Sequence, residues 1–130
     1  MSIARKCASV DSEKCPCSGA TLDRLIQPAI LVVLAESPLH GYRLAERIGD
    51  LPGFTGERPD LSGIYRVLKV MEGHGLVSSA WDVSETGPAK KSYRITPAGL
   101  QCLKRWVKTL EQYRNNVTGL LNAARKAVQR

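Results

Sequence analysis

The 130-residue chain reads as mainly α-helical, with one small β-hairpin and a long helix at its C-terminal end. Three features carry that reading. Start and stop signals delimit three apolar helical segments before residue 76, and β-branched and aromatic residues flank a Gly-Pro turn after it. From residue 97 onward, apolar residues recur at heptad spacing with no further proline. With 43% apolar and 24% charged residues, the chain has core material for one compact domain and lacks the bias of a disordered chain. That size excludes a large multidomain enzyme.

Residues 1–20 hold three of the four cysteines among Ser, Gly, Pro and charged residues and show no apolar period, so they read as an arm. Thr21 is placed to cap a short turn over residues 22–26, and Pro28 suits the first position of a helix, where its missing N–H is no loss. Residues 22–36 therefore read as one kinked or two abutting helices, and the run PAILVVLA, apolar on all sides, reads as core. Ser37-Pro38 ends it, because the residue before proline is driven out of the helical region. A short helix over 42–48 follows His40-Gly41, and LPGFTGERP reads as a connecting loop. Asp60 is placed to cap a third helix over 61–73, with Leu61, Ile64, Leu68 and Met71 on one side and Gly73 and Gly75 as stops.

LVSSAWDV and SYRI then read as two strands joined by the turn SETGPAKK, which places Lys90 and Lys91 in a basic hairpin turn. Thr96-Pro97 opens the last helix. Leu103, Trp106, Leu110, Tyr113, Val117, Leu120, Ala124 and Ala127 fall on heptad a and d positions, with Val107, Leu121 and Val128 widening the stripe. Thirty helical residues span about 45 Å, more than the short helices can cover, so a second copy of the same helix is the economical partner. Asn115, Asn116, Thr118 and Gly119 are weak helix formers, and a bend or break among them is the competing expectation.

The formal charge is +7, and it is unevenly placed: residues 100–130 carry seven basic groups and one acidic group. Such a balance favours a polyanionic partner. The longest apolar stretch, Ala29 to Ala35, is far short of the roughly 20 residues that span a bilayer, and no signal-peptide pattern opens the chain. The expectation is an intracellular protein without a membrane partner. No nucleophile and base arrangement or metal and carboxylate motif specifies an enzyme.

Three helices followed by a hairpin is the order of a winged helix-turn-helix, in which the third helix enters the DNA major groove and the hairpin meets the adjacent backbone or minor groove. The blocks ILVVLAESPLHGYRLAERI, DLSGIYRVLKVMEGHGLV and GPAKKSYRITPAG, in this order, resemble those of PadR-type bacterial transcription regulators. The resemblance covers about residues 22–99, and the heptad-patterned end is similar to that family's dimerising helix. It implies an arm (1–20), a DNA-binding domain (21–96) and a dimerisation helix (97–130) in a bacterial cytoplasmic homodimer. Its partner is a pseudo-palindromic double-stranded operator, with half-sites about 10 base pairs apart or a multiple of that.

The same resemblance implies that His40, Gly41 and Tyr42 open the second helix and that Tyr65 touches a DNA phosphate. Departures matter too: Gly63 stands where the family commonly has threonine, so base contacts made by that threonine do not carry over. Ser62, Arg66 and Lys69 lie on the same helix, where phosphate neutralisation outranks base reading, and Lys90 and Lys91 fall in the block similar to the family's wing. Trp106 and Tyr113 read as dimer packing or, as the family suggests for some members, as the lining of an aromatic effector's pocket. Cys7, Cys15, Cys17 and Cys102 read as zinc or iron–sulfur ligands, as a redox switch, or as inert thiols. The resulting expectation is a repressor released by a small molecule, metal or redox signal; the alternative is a metal- or redox-sensing protein-interaction module.

Overall fold

The computed structural model describes residues 25–52, 54, 59–82 and 87–130. Helix α1 (Ile26–Glu36) leads into the two-residue strand β1 (Leu39–His40) and helix α2 (Gly41–Gly49). Helix α3 (Leu61–Gly73), strands β2 (Val77–Asp82) and β3 (Lys90–Ile95) and helix α4 (Pro97–Val128) follow among the described residues. The strands form one antiparallel sheet in the order β1-β3-β2. Of the expected capping turn over residues 22–26, Thr21 and residues 22–24 lie outside the described residues, as do the three arm cysteines, while Ile26 is the first residue of α1.

α1 is the centre of the body and lies against α2, α3, β3 and the start of α4. That position explains a sequence apolar on every side: Ala29, Ile30, Leu31, Val33 and Leu34 are all buried. Pro28 is the third helical residue rather than the first, a position tolerated because an N–H in the first turn has no intrahelical partner. The core closes with Leu44, Ala45 and Ile48 from α2, Ile64, Leu68 and Met71 from α3, and Val77 and Tyr93 from the sheet. Glu36 and Arg47 pair across the outer side of α1 and α2.

Two elements differ from the sequence expectation. β1 pairs Leu39 with Tyr93 and His40 with Ser92, turning the expected hairpin into a three-stranded sheet; two residues are too few to show an alternation. β3 begins at Lys90, so Lys90 and Lys91 are strand residues, opposite Asp82 and Trp81, and not part of the turn. Their charges suit a strand because Lys90 is exposed and Lys91 faces Glu72 of α3 at 3.9 Å.

α4 runs unbroken for 32 residues, which removes the expected bend near residue 117. None of the weak formers there deletes a backbone donor, and Thr118 returns its hydroxyl to the Arg114 carbonyl at 2.8 Å, inside the helix. At the other end Thr96 caps α4: its hydroxyl oxygen accepts from the Gly99 N–H at 3.0 Å and its hydroxyl donates to the Gly75 carbonyl at 2.6 Å. The Thr96 N–H bonds the Leu76 carbonyl. Gly99 is required at this joint, because a Cβ there would run into the Leu76 carbonyl and come within 2.7 Å of the Ile95 side chain. The base of α4 is thereby locked to the turn that ends α3.

Candidate nucleic-acid interface

Helix α3 has two sides. Ile64, Leu68 and Met71 face the core, while Ser62, Tyr65, Arg66 and Lys69, at steps of three, one and three, are exposed on the other side. Asp60 fixes the start of the helix: its Oδ2 accepts from the Gly63 N–H at 3.3 Å and from the Ser62 hydroxyl at 2.7 Å. The Ser62 hydroxyl and the Gly63 amide, in that order of weight, hold the Asp60 carboxyl below its ordinary pKa. Ser62, expected to face DNA, thus spends its hydroxyl proton on the helix cap.

Tyr65 reaches from α3 to the first residue of α2. An added Cβ at Gly41 would come within 2.6 Å of the Tyr65 Cζ and hydroxyl oxygen, so the ring lies on the Gly41 backbone, yet Tyr65 remains 42% exposed. Tyr42 follows on the open side of α2. Tyr42 is the residue after Gly41, so both exposed tyrosines of the sequence expectation adjoin the start of α2.

The wing meets α3 at its far end. Glu72 accepts the Ser79 hydroxyl and faces Lys91, and the Lys91 ammonium also lies 5.7 Å from the centre of the Tyr93 ring. Burial, followed by the charge of Glu72 and the proximity of Tyr65, pushes the Tyr93 hydroxyl above its ordinary pKa. Lys91 is held against the body, whereas Lys90, on the opposite side of the strand, points away from Glu72's face. At β1, His40 Nε2 lies 3.3 Å from Asp82 Oδ2, without the alignment of a hydrogen bond. Trp81, beside Lys91 in the register, is 66% exposed.

Gly41, Glu72 and Trp81 were not singled out as site residues from the sequence. Gly41 is visible there only as a helix opener, and Glu72 gains its place from partners seven and nineteen residues away, Ser79 and Lys91. A hollow of about 250 Å³ lies between the start of α1 and the first turns of α3, lined in part by Ile26, Pro59 and Arg66. Neither Trp106 nor Tyr113 borders it.

The heptad seam divides. Cys102, Leu103 and Trp106 pack on this chain's own core and Leu110 is half-buried, whereas Tyr113, Val117 and Leu120 are exposed. Cys102 is a free, half-buried thiol; the other three cysteines of the expected cluster lie outside the described residues. Among the described residues no helix is long and apolar enough to cross a membrane.

Capped third helix, second helix, three-stranded wing and long trailing helix together define a winged helix-turn-helix protein of the PadR-like class. The chain belongs to the transcriptional regulator PadR-like family, whose model matches residues 30–105. The family is one of transcriptional regulators, not enzymes. The chain is similar to a probable transcriptional regulator of Mycobacterium tuberculosis, Rv1176c, with 37% identity over 79 residues. That match covers 61% of this chain and 41% of the relative, so the chain spans well under half of that curated protein. Among solved structures it is similar to the putative transcriptional regulator TA0346 of Thermoplasma acidophilum, at 33% identity and TM-score 0.69, over 79% of this chain and 96% of that one. It is also similar to Bacillus subtilis PadR in complex with operator DNA, at 28% identity and TM-score 0.57, over 64% of this chain and 46% of that one.

Proposed function

We propose that this chain is a homodimeric repressor that binds a pseudo-palindromic DNA operator, each copy placing α3 in a major groove. The observation that carries the reading is the exposed strip Ser62, Tyr65, Arg66 and Lys69 on a helix fixed by its Asp60 cap and flanked by α2 and the wing. In this reading Tyr42 and Tyr65 donate to phosphate oxygens and set register, Arg66 and Lys69 neutralise phosphates, and Lys90 meets the backbone or minor groove. Lys91 acts from the body side of the wing, shared between Glu72 and the DNA. The operator complex of the similar Bacillus subtilis PadR supports this reading.

The dimer is formed by α4. Every residue from Glu111 to the end is exposed in the single chain, including Val117 and Leu120 of the seam. A second copy buries that stripe and sets the spacing of the two reading helices. A small molecule, metal or oxidant that alters the pairing of α4 alters that spacing, because the Thr96 and Gly99 joint ties α4 to the end of α3. The test is binding of the full chain to fragments upstream of its own gene, against unrelated duplexes, over a salt series. Preference for one fragment, with a steep negative dependence of log affinity on log salt, is the expected result. Equal binding to all fragments, or affinity independent of salt, overturns the reading in favour of a protein-interaction module.

A further inference from the structure

We infer that Gly41 is a positioning residue for DNA recognition: by carrying no side chain it lets the hydroxyl end of the Tyr65 ring seat against α2 and so fixes where that hydroxyl sits. This rests on the DNA-binding reading above. The geometry is direct, since the place a Cβ would take at residue 41 is within 2.6 Å of Tyr65 Cζ and of its hydroxyl oxygen. Non-bonded heavy atoms do not tolerate that approach, so one side must yield.

Which side yields distinguishes positioning from support. Tyr65 is 42% exposed, and the atoms in the way are the far end of its side chain. A methyl at residue 41 pushes the ring out toward solvent and leaves the backbone of α2 in place, with Leu44, Ala45 and Ile48 still in the core. Gly99 is the opposite case, because there the obstruction is the Leu76 backbone, which cannot swing aside. Gly41 has no positive φ to explain it, so close approach of the ring is its structural reason. A phenol displaced by a side-chain swing no longer meets the phosphate at which it was aimed, and a neutral donor's loss leaves the cationic contacts intact.

The test uses the full chain as Gly41→Ala, Tyr65→Ala and the double variant, with thermal melts and operator affinity over a salt series. Gly41→Ala is expected to move the melting temperature by less than about 4 °C and to weaken operator binding by roughly tenfold. The slope of log affinity against log salt stays that of the unaltered chain. In the Tyr65→Ala background, where no ring remains to be displaced, Gly41→Ala costs no further affinity. Equal loss from Gly41→Ala in both backgrounds, or none in either, overturns the inference while leaving the DNA reading standing. A large fall in melting temperature with a shallower salt slope also overturns it, as a structural role. If the unaltered chain prefers no fragment, the DNA reading fails and this inference with it.

Discussion

The first part of α4 and its last part share one heptad pattern and meet opposite surroundings. Between Pro97 and Leu110 the stripe is spent on the chain's own body, where Leu103 and Trp106 close the core beside α1. Beyond Leu110 every residue is exposed, and Leu120 shows 71% of its surface to solvent. An amphipathic helix of 18 residues gains most of its stability from what it packs against, which is why the proposed dimer uses the outer part of α4 as its interface. The comparison teaches that one periodic pattern can serve two purposes in sequence: it anchors the rod, then it offers the rod.

Core truncation gives the largest contrast between these regions. Leu68→Ala, at a fully buried position, should cost about 2–5 kcal/mol, read as a large fall in the denaturation midpoint. Leu120→Ala in the single chain removes no buried contact and should leave the midpoint of a dilute sample unchanged.

In the proposed dimer that ranking reverses. Val117→Glu with Leu120→Glu should raise the dimer dissociation constant more than about tenfold, because two charges per copy would have to be desolvated at the seam. Sedimentation equilibrium checks this, and circular dichroism should show the winged body still folded. If the paired Glu variant remains a tight dimer, the outer part of α4 is not the interface.

A smaller effect is expected at the joint between the two regions. Thr96→Val removes both the cap on Gly99 and the bond to the Gly75 carbonyl, and should cost about 1–2 kcal/mol in a chemical melt. Operator affinity should fall by more than this loss of stability alone explains, since the joint sets the angle between α4 and α3.

The smallest is a pH effect. The Asp60 carboxyl is held below its ordinary pKa by Ser62 and Gly63, so the folded state binds that proton more weakly than the unfolded chain. Its contribution is present above about pH 4 and is lost as pH falls through the lowered folded value. Asp60→Ala should remove this acid sensitivity, measured as the difference between melts above and below that range.

Most of the body was legible because its signals are local. Asp60 and Thr96 stand immediately before their helices and cap them as read, and the spacing of Ile64, Leu68 and Met71 gives the buried side of α3 directly. What was not legible depends on pairing across the chain. β1 exists only because β3, more than fifty residues later, hydrogen-bonds Leu39 and His40. Lys90 and Lys91 read as turn residues because two lysines carry no strand signal, and Glu72 supplies the compensating charge from another element. The weak formers near residue 117 suggested a break, but low propensity costs only about 0.5–1 kcal/mol per residue and does not interrupt a hydrogen-bond ladder that keeps all its donors. At the candidate site the exposed strip of α3 could be read in advance, whereas the seat of Tyr65 on Gly41 needed two helices in place.

The most direct measurement is the stoichiometry of the complex, by sedimentation of the full chain with a fluorescently labelled duplex carrying the preferred upstream fragment. Two chains on each duplex, at protein concentrations where an unrelated duplex stays free, is the result that paired reading helices on a shared α4 seam predict. One chain per duplex, or equal occupancy of both duplexes, would contradict it.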